Sequence, residues 1–536
     1  MNINPLLDVD FYKVSHKHMY PRGMTKMYSN LTPRSAKHFR FKSADFDNRV
    51  VVFGTQALIN QLANHWQTNF FNKPIEPLVA EYKSVLLNCL GVSDPDVQWC
   101  YDLHNLGYLP ILIKALPEGS RSPIGVPVLT IANTHDNFAW LVNYLETYLS
   151  TNIWKPITMA TNSYEYKRIL AKYNALTADT TDFMPWQVHD FAARGLGSSH
   201  EWAINCIAHL TSFSGTDTVQ AILGAQHYYG ADLTCGGSVP ATEHSVMTIN
   251  ISTSNHDDKL LAEQTYLHKL LTDLYPTGIL SVVCDSYDFW GVIEHNLPAL
   301  KDVIMYRDGK LVIRPDSGNP IDVICGVSVN QSFNYDLEEA IPLLYMGTTY
   351  FECNSGTYKV KTIVNDEDEY ESSYTKITEV EARGLLQSLW DIFGGTLNDK
   401  GYKVLDSHIG LIYGDAITAD VYESILSRME SMGFSSDNLV IGKGAVGDQL
   451  ITRDTFGFAI KATHCVVNGQ SIEVSKEPKT DAKKKSAKGL LHVTPDFQLI
   501  DQCTPEQEAT GLLEPIFHNS EVLSNTTLEE IRQKLN

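Results

Sequence analysis

Five segments of the chain share one pattern of apolar and polar positions. In each, a short run of β-branched or apolar residues stops at a charged residue or a glycine, and helix-like sequence follows. The segments are WQVHDFAARG (186–195), GILSVVCDSYDFWG (278–291), KLVIRPDSGNP (310–320), HIGLIYGDA (408–416) and NLVIGKGAVGDQ (438–449). Continuous apolar runs suit parallel strands that are buried on both faces and joined by helices. The pattern therefore predicts an α/β core, either a barrel or a doubly wound sheet.

The two ends of the chain follow a different pattern, in which helical segments such as QALINQLANHW mix with short strands such as YLPILIKALPEG and ATHCVVNGQSIEVSK. We predict one flanking α+β domain, built from residues 1–180 and 451–536, beside a core of residues 181–450. Within the core, residues from about 330 to 405 are predicted to be an insertion. Its middle, TYKVKTIVNDEDEYESSYTKITE, is typical of a hairpin with an acidic tip.

The composition and charge of the chain argue against several classes of protein. The chain has 536 residues, of which 43% are hydrophobic and 20% charged, as in ordinary globular proteins. The net charge of −21 disfavours a general nucleic-acid surface. No stretch approaches the roughly 18 consecutive apolar residues of a membrane span, and the first residues do not resemble a signal peptide. The nine cysteines occur singly, without a CxxC pair, which argues against a zinc site or a disulfide framework. We therefore expect a cytoplasmic protein without nucleic-acid or membrane partners.

Polar residues and glycines stand at the carboxyl ends of the predicted strands, where barrels carry their reactive groups. With the aromatic Phe191, they are His189, Asp190 and Arg194 after the first run, then Asp285, Arg314, Asp316, Gly414, Asp415 and Gly444. Arginines, aspartates and glycines are the groups that hold phosphates and ribose hydroxyls. This set indicates a phosphorylated sugar as substrate.

Three further segments carry candidate chemistry. GGSVPATEHS (236–245) places Glu243 beside His244 on a predicted turn, and such a pair alone is weak evidence for catalysis. KEPKTDAKKKSAK (476–488) has six lysines and two acids, so it is either a solvated loop or a cationic cover over an anionic site. Residues 442–447 fit GxGxxG, but no acid follows about 20 residues on, so a phosphate-binding turn is favoured over a dinucleotide fold.

The motifs and their order resemble the nicotinamide phosphoribosyltransferases, members of the type II phosphoribosyltransferases. The matching segments are DFYKVSH, VHDFAARG, FSGTDTV, SVPATEHS, SVVCDSYD, LVIRPDSGNP, IYGD and ITRD. The resemblance covers nearly all of the chain except the 330–405 insertion, which is longer than the family usually has. The chain also has Ala445-Val446 where the family tends to continue in glycine. The resemblance implies an irregular α/β barrel, a homodimer with shared active sites, and phosphoribosyl transfer from phosphoribosyl pyrophosphate to nicotinamide, with Mg²⁺ as cofactor and ATP as co-substrate.

The resemblance also implies a role for individual residues around the substrates. Phe191 and Tyr12 of the partner subunit stack on nicotinamide, Asp217 accepts a hydrogen bond from the carboxamide, and Arg314 contacts the ring amide and the ribose side. The other substrate-binding residues are Ser281; Asp316, Gly414 and Asp415 for the ribose; Gly444, Ala445 and Arg453 for the 5′-phosphate; and Arg194 on the pyrophosphate side. Mg²⁺ is held mainly by pyrophosphate, with Asp285 as an outer contact. Taken alone, Asp217 would instead be interpreted as a helix cap.

His244 is implied to accept a phosphoryl group from ATP. Glu243 is expected to fix the tautomer of its ring, and Lys476 and Lys484 to neutralise the ATP phosphates. The implied catalytic set is His244, Asp316, Arg314 and Glu243. Nicotinate phosphoribosyltransferase has the same fold and chemistry and remains the alternative, against which Asp217 discriminates. A binding protein without catalysis remains a second alternative, disfavoured by the complete set of phosphate and ribose ligands.

Overall fold

The computed structural model describes residues 3–43, 45–334, 336–340, 347–364, 370–414, 417–444, 450–475 and 487–536. It is a mixed α/β structure. Its strands are β1 Met24–Thr32, β2 Arg49–Val51, β3 Ile111–Ala115, β4 Arg121–Pro123, β5 Leu129–Asn133, β6 Val188–Phe191, β7 Thr277–Val283, β8 Asp308–Arg314, β9 Val329–Ser332, β10 Gly347–Cys353, β11 Gly356–Val364, β12 Tyr370–Lys376, β13 Gly395–Leu397, β14 Lys403–Leu405, β15 Ile409–Tyr413, β16 Leu439–Gly444, β17 Ala459–Val467, β18 Gln470–Glu473, β19 Leu490–Val493, β20 Leu499–Cys503, β21 Glu514–His518 and β22 Glu521–Val522.

The α-helices are distributed along the whole chain. The longer ones are Thr55–Trp66, Ile75–Leu90, Gln98–Leu106, Glu146–Thr177, Val219–Tyr229, His244–Ser252, Lys259–Lys269, Leu385–Phe393, Ala419–Ser431 and Leu528–Leu535. The shorter ones are Leu141–Tyr144, Ser199–Asn205, Ile207–Leu210, Phe289–Gly291, Leu297–Ala299, Lys301–Tyr306, Pro320–Cys325, Leu337–Ala340, Glu379–Arg383 and Pro505–Glu508. Among the described residues, no helix is both long enough and apolar enough to cross a bilayer.

The five predicted strands form one parallel sheet in the order β6-β16-β15-β8-β7. The prediction of parallel strands from the apolar runs is therefore confirmed. Val282, Ile313 and Ile441 in these strands are fully buried, as expected for strands covered on both faces. The carboxyl ends of parallel strands lie at one edge, so the predicted strand-end residues are brought to the same side of the sheet.

Two extended segments lie between the edge strands β6 and β7. Isolated parallel bridges join Asp190 of β6 to Thr216, and Gly215 to Gly237. A third bridge joins Ala241 to Ser281 of β7. We call residues 214–217 and 236–242 the first and second closing segments, because they connect one edge of the parallel sheet to the other.

A second sheet combines the two ends of the chain. It is seven-stranded, in the order β18-β17-β1-β5-β3-β21-β22, and its described pairings are antiparallel. Strand β1, near the N-terminus, pairs with β5 on one side and with the C-terminal β17 on the other. One buried hydrophobic cluster runs from this sheet into the parallel sheet. The two sheets are therefore packed around a shared core.

Strands β9 to β12 form a small four-stranded sheet in the order β12-β11-β10-β9. Its own buried cluster includes Phe351, Tyr358 and Val360 and is separate from the main core. The expected hairpin is present as β11 and β12, and its acidic tip, 365–369, lies outside the described residues. The following helix, Leu385–Phe393, packs into the main core.

Candidate active site

The carboxyl ends of the parallel strands meet around the ring of Phe191. The guanidinium carbon of Arg314, at the end of β8, lies 5.7 Å from the centroid of this ring. The backbone of β16 lies against the ring as well, since a Cβ on Gly442 would be 2.3 Å from two of its carbons. A Cβ on Gly414 would be 3.1 Å from Asp316 Oδ1 and 3.3 Å from both Phe191 and Arg314. Glycines at these two positions allow an aromatic ring, an arginine and an aspartate to share a small space.

A cavity of about 460 Å³ is lined mainly by the parallel strands and the closing segments. Phe191, Asp217, Ser281 and Arg314 line it near the carboxyl ends of the strands, whereas Leu405 and Asp437 line its opposite end. Apolar side chains provide most of the wall, and a few polar groups face into it, as is usual for a small-molecule site. The cavity therefore suits a flat, mostly apolar ring that carries one or two polar substituents.

Asp217 lies on the first closing segment, and its position is set by hydrogen bonds. Its backbone N–H donates to the carbonyl of Asp190 (3.0 Å), and its Oδ1 accepts from the hydroxyl of Ser238. The helix that follows begins at Val219 with Thr218 as its N-cap and has no side-chain cap. Asp217 is therefore not the helix cap that its GTDT context would suggest. Its carboxylate lines the cavity instead.

His189 and Ser238 line the same part of the cavity. The strand-end pattern named His189 without giving it a role, and it did not identify Ser238. Burial holds the pKa of His189 below its ordinary value, while the negative charge of Asp217 acts in the opposite direction. A neutral imidazole is therefore expected beside the carboxylate at neutral pH. Both residues stand in segments with recognised motifs, yet only the tertiary structure shows that their side chains face the cavity.

His244 begins the helix His244–Ser252, so the predicted turn ends at Glu243 and the prediction of a turn at His244 itself is wrong. Its Nδ1 lies 3.2 Å from the hydroxyl of Ser286, and its Nε2 lies 3.7 Å from Asp285 Oδ1 and 3.8 Å from Asp316 Oδ2. Glu243 is exposed, and its carboxylate accepts from Ser245. The structure thus places Ser286, rather than Glu243, beside the ring nitrogen that was expected to need an orienting partner.

Asp285 connects His244 to the strand-end loop that contains Asp316. The side chain of Asp285 is only 5% exposed, and its Oδ2 accepts from the backbone N–H of Asp316 (3.1 Å). Its buried Oδ1 has no hydrogen-bond partner among the described residues. Asp316 also pairs with Arg314 at 3.2 Å. These contacts join an imidazole, two carboxylates and a guanidinium in one cluster.

A buried acid, Glu263, lies close to the same cluster and was not found from the sequence. Its side chain is fully buried, and neither carboxyl oxygen has a hydrogen-bond partner among the described residues. Burial, together with the negative charges of Asp285 and Asp288, raises the pKa of Glu263 to about 8. No sequence pattern shows that Glu263 is buried, since a glutamate in a surface helix normally belongs to the solvent-facing side.

Several predicted site residues lie outside this cluster. Tyr12 is 58% exposed, with its ring 5.0 Å from that of His16. Arg194 is exposed beyond the end of β6, and Arg453 is exposed with Asp454 3.7 Å away. Gly444 ends β16 in register with Phe191. Asp415, Ala445, Lys476 and Lys484 lie outside the described residues.

Gly442→Ala is expected to raise the KM for the ring substrate by about tenfold or more, because a methyl group 2.3 Å from the Phe191 ring must displace it. Steady-state kinetics would measure the change. Gly410→Ala on the neighbouring strand β15 is the matched control, since its Cβ would meet the flexible stem of Lys310 at 3.3 Å and Val312 Cγ2 at an ordinary contact distance of 3.8 Å. Equal KM values for the two variants would contradict a role of Gly442 in seating Phe191.

Comparisons with known proteins agree on one family. Residues 186–521 match the nicotinate phosphoribosyltransferase (NAPRTase) family, and residues 4–72 match the nicotinamide phosphoribosyltransferase N-terminal domain. The chain is 42% identical to the nicotinamide phosphoribosyltransferase of Acinetobacter baylyi, over 99% of this chain and 97% of the relative. It is 30% identical to the protein of the same name from Xanthomonas campestris, again over 99% and 97%.

Two solved structures have a similar fold. The nicotinate-nucleotide pyrophosphorylase from Pyrococcus furiosus aligns with a TM-score of 0.51 at 14% identity, covering 100% of this chain and 95% of the other. Human nicotinic acid phosphoribosyltransferase aligns with a TM-score of 0.50 at 14% identity, covering 98% and 92%. At this level of identity the two structures support the fold alone.

Proposed function

The chain belongs to the nicotinate phosphoribosyltransferase family, and we propose that it transfers the phosphoribosyl group of phosphoribosyl pyrophosphate to the ring nitrogen of nicotinamide. The products are nicotinamide mononucleotide and pyrophosphate. The observation that carries the choice of nicotinamide is the Asp217 carboxylate, which lines the cavity that also contains Phe191. A carboxylate accepts from a carboxamide NH₂ group but repels the carboxylate of nicotinate. Transfer to nicotinate is the alternative.

The nicotinamide ring lies against Phe191, which Gly442 and Arg314 hold in place. Tyr12 of the partner subunit covers the second face of the ring. The exposure of Tyr12 supports this arrangement, because a tyrosine that is 58% exposed in one chain is free to contact another. Asp217 accepts from the carboxamide, and Arg314 contacts the amide and the ribose side. The protein positions the ring nitrogen for attack, which is a large part of catalysis in a reaction between two bound substrates.

Displacement of pyrophosphate from the sugar leaves an oxocarbenium-like centre, so no protein nucleophile is required. Asp316 stabilises the developing positive charge and, together with Gly414 and Asp415, binds the ribose hydroxyls. Ser281 contributes to the wall on the β7 side. Arg194 and His244 lie on the pyrophosphate side. Arg453, with Gly444 and Ala445, takes the 5′-phosphate.

The residues of the cluster fit a Mg²⁺ ion that is held mainly by substrate phosphates. Among the described residues, no group of three or more His, Cys, Asp or Glu side chains is arranged to hold a metal. Asp285 nevertheless offers a buried oxygen that has no hydrogen-bond partner among the described residues, and Asp316 lies close by. Mg²⁺ in phosphate-binding sites is bound through one or two carboxylates plus substrate phosphates. When bound, it supplies positive charge for the leaving pyrophosphate.

His244 accepts a phosphoryl group from ATP, and hydrolysis of this phosphohistidine is coupled to tighter substrate binding and a favourable equilibrium. A neutral imidazole is the nucleophile, and it needs one nitrogen held in place. The contact between Nδ1 and Ser286 supports this arrangement and leaves Nε2 toward the two carboxylates. Lys476 and Lys484 neutralise the ATP phosphates.

We further propose how the chain is divided into domains and how it assembles. The parallel sheet and the two closing segments, residues 214–217 and 236–242, form an irregular barrel within residues 181–450. Residues 1–180 and 451–536 form the flanking domain, which the shared seven-stranded sheet supports. The enzyme is a homodimer and works in the cytoplasm, with no nucleic-acid or membrane partner.

A product assay by mass spectrometry tests the proposed function. Nicotinamide or nicotinate is incubated with phosphoribosyl pyrophosphate and Mg²⁺, with and without ATP. We expect nicotinamide mononucleotide as the main product and a higher yield with ATP. Preferential formation of nicotinate mononucleotide would favour the alternative, and equal yields with and without ATP would contradict the coupling.

Mixing two inactive variants is expected to restore part of the activity. Tyr12→Ala removes the residue that acts in the partner's site, and Arg314→Ala removes a residue of the chain's own site. In a mixed dimer, one of the two sites then has both residues intact. Activity is measured after the subunits have exchanged, and mass spectrometry of the intact dimers confirms exchange. Mixed dimers without activity would contradict a shared site.

A further inference from the structure

Arg532, in the last helix of the chain, donates hydrogen bonds to three backbone carbonyls of distant segments. Its Nε donates to Leu210 (2.7 Å). One of its terminal nitrogens donates to Phe213 (3.1 Å) and to Cys235 (2.7 Å). All three acceptor residues are buried. If Arg532 were removed, their carbonyls would lose hydrogen bonds that water cannot easily replace.

The three carbonyls lie just before the two closing segments. Leu210 and Phe213 precede residues 214–217, which contain Asp217, and Cys235 precedes residues 236–242, which contain Ser238. Leu210 also ends the helix Ile207–Leu210, where carbonyls lack partners within the helix and a positive charge is favourable. One guanidinium therefore holds the start of both segments. A guanidinium is suited to this because its donors form a rigid planar fork.

The two closing segments are in turn fixed to each other. The N–H of Thr216 donates to the carbonyl of Gly237 (2.9 Å), and the N–H of Gly237 donates to that of Ser214 (2.9 Å). They are also tightly packed, since a Cβ on Gly236 would be 3.0 Å from Leu210 and 3.2 Å from Thr216. The hydroxyl of Ser238 then donates to Asp217. A shift at the start of either segment is therefore passed on to the Asp217 carboxylate.

We propose that Arg532 is a positioning residue that sets the place of Asp217 in the ring-binding cavity. The last helix of the chain thereby determines the geometry of substrate recognition, although Arg532 does not line the cavity. This inference deepens the proposed function and rests on it for the identity of the ring substrate.

The test compares Arg532→Ala and Arg532→Lys with Lys534→Ala. Lys534 is an exposed cation on the same helix that donates only to the carbonyl of Glu118 (3.1 Å) among the described residues, so it controls for a general loosening of the helix. For Arg532→Ala we expect the KM for nicotinamide to rise by about tenfold and the preference for nicotinamide over nicotinate to fall by a similar factor, with a smaller change in kcat. Arg532→Lys should show part of this effect, because a lysine cannot reach all three carbonyls at once.

Two further measurements separate positioning from loss of folding. Added methylguanidinium should restore the KM of Arg532→Ala toward the wild-type value by occupying the vacated place. In the Asp217→Ser background, Arg532→Lys should leave the amide-to-acid preference unchanged, because both substitutions act on the same carboxylate. If Arg532→Ala does not fold, Arg532→Lys and this double variant decide the question.

The proposal would be overturned if a folded Arg532 variant kept the wild-type KM for nicotinamide and the wild-type preference for nicotinamide over nicotinate. It would also be overturned if Lys534→Ala changed both quantities as much as Arg532→Ala does. A failure of the Arg532 proposal can be distinguished from a failure of the proposed function. A wild-type enzyme that preferred nicotinate would refute the assignment of nicotinamide, and the KM for nicotinate would then report on Arg532 in the same three variants.

Discussion

Asp217→Ser is expected to narrow the preference for nicotinamide over nicotinate by at least about tenfold, chiefly by improving the reaction with nicotinate. In the wild type, two unit charges about 4 Å apart at an effective dielectric constant near 20 repel by roughly 4 kcal/mol. Since about 1.4 kcal/mol corresponds to a factor of ten, the preference reaches at most about a thousandfold in kcat/KM. Arg314, which lines the same cavity, reduces this preference because its positive charge attracts the carboxylate of nicotinate.

Ser238→Ala is the matched control for this substitution. It removes the hydroxyl that donates to Asp217 and leaves the carboxylate charge in place. If charge repulsion sets the preference, Ser238→Ala keeps most of it and Asp217→Ser loses most of it. Measuring kcat/KM for both ring substrates in each variant decides between charge and position. If the ratio of kcat/KM for nicotinamide to kcat/KM for nicotinate is unchanged in folded Asp217→Ser, another residue sets the specificity.

His244→Ala is expected to lower ATP hydrolysis by at least about a thousandfold, because the acceptor of the phosphoryl group is lost. Slow phosphoribosyl transfer without ATP coupling should remain, since His244 does not touch the bond that forms between ribose and ring. The exposed position of the imidazole, 48% of the side chain, makes a large loss of stability unexpected for this substitution. Hydrolysis is measured as ADP release, and transfer as mononucleotide formed with and without ATP.

Ser286→Ala and Glu243→Gln complete this experiment. Because Ser286 lies beside Nδ1 of His244, its loss should slow phosphorylation without abolishing it. Because Glu243 is bonded to Ser245 and not to the ring, its replacement should have the smaller effect. Complete loss of transfer in folded His244→Ala, with pyrophosphate binding retained, would instead assign the histidine a direct role in the transfer step.

Much of the site followed from local sequence. A buried parallel strand must be apolar along its length, and the first polar residue after it must lie at the edge of the sheet. For this reason Asp285, Arg314 and Asp316 were identified from the point at which each apolar run stops, with Phe191 at the end of the first strand, and the structure brings them together. The role of each residue came from the resemblance to the family, since strand ends are polar in most α/β proteins.

The sequence by itself determined the parallel sheet, the family and the residues at the strand ends, because these depend on short-range pattern and on motifs with fixed spacing. Only the tertiary structure decided which side chains face each other. It placed Ser286 rather than Glu243 beside the His244 ring, removed the helix-cap interpretation of Asp217, and connected Arg532 to segments about 300 residues earlier in the chain. Contacts of this kind depend on how distant segments pack, and no periodicity or local propensity encodes them.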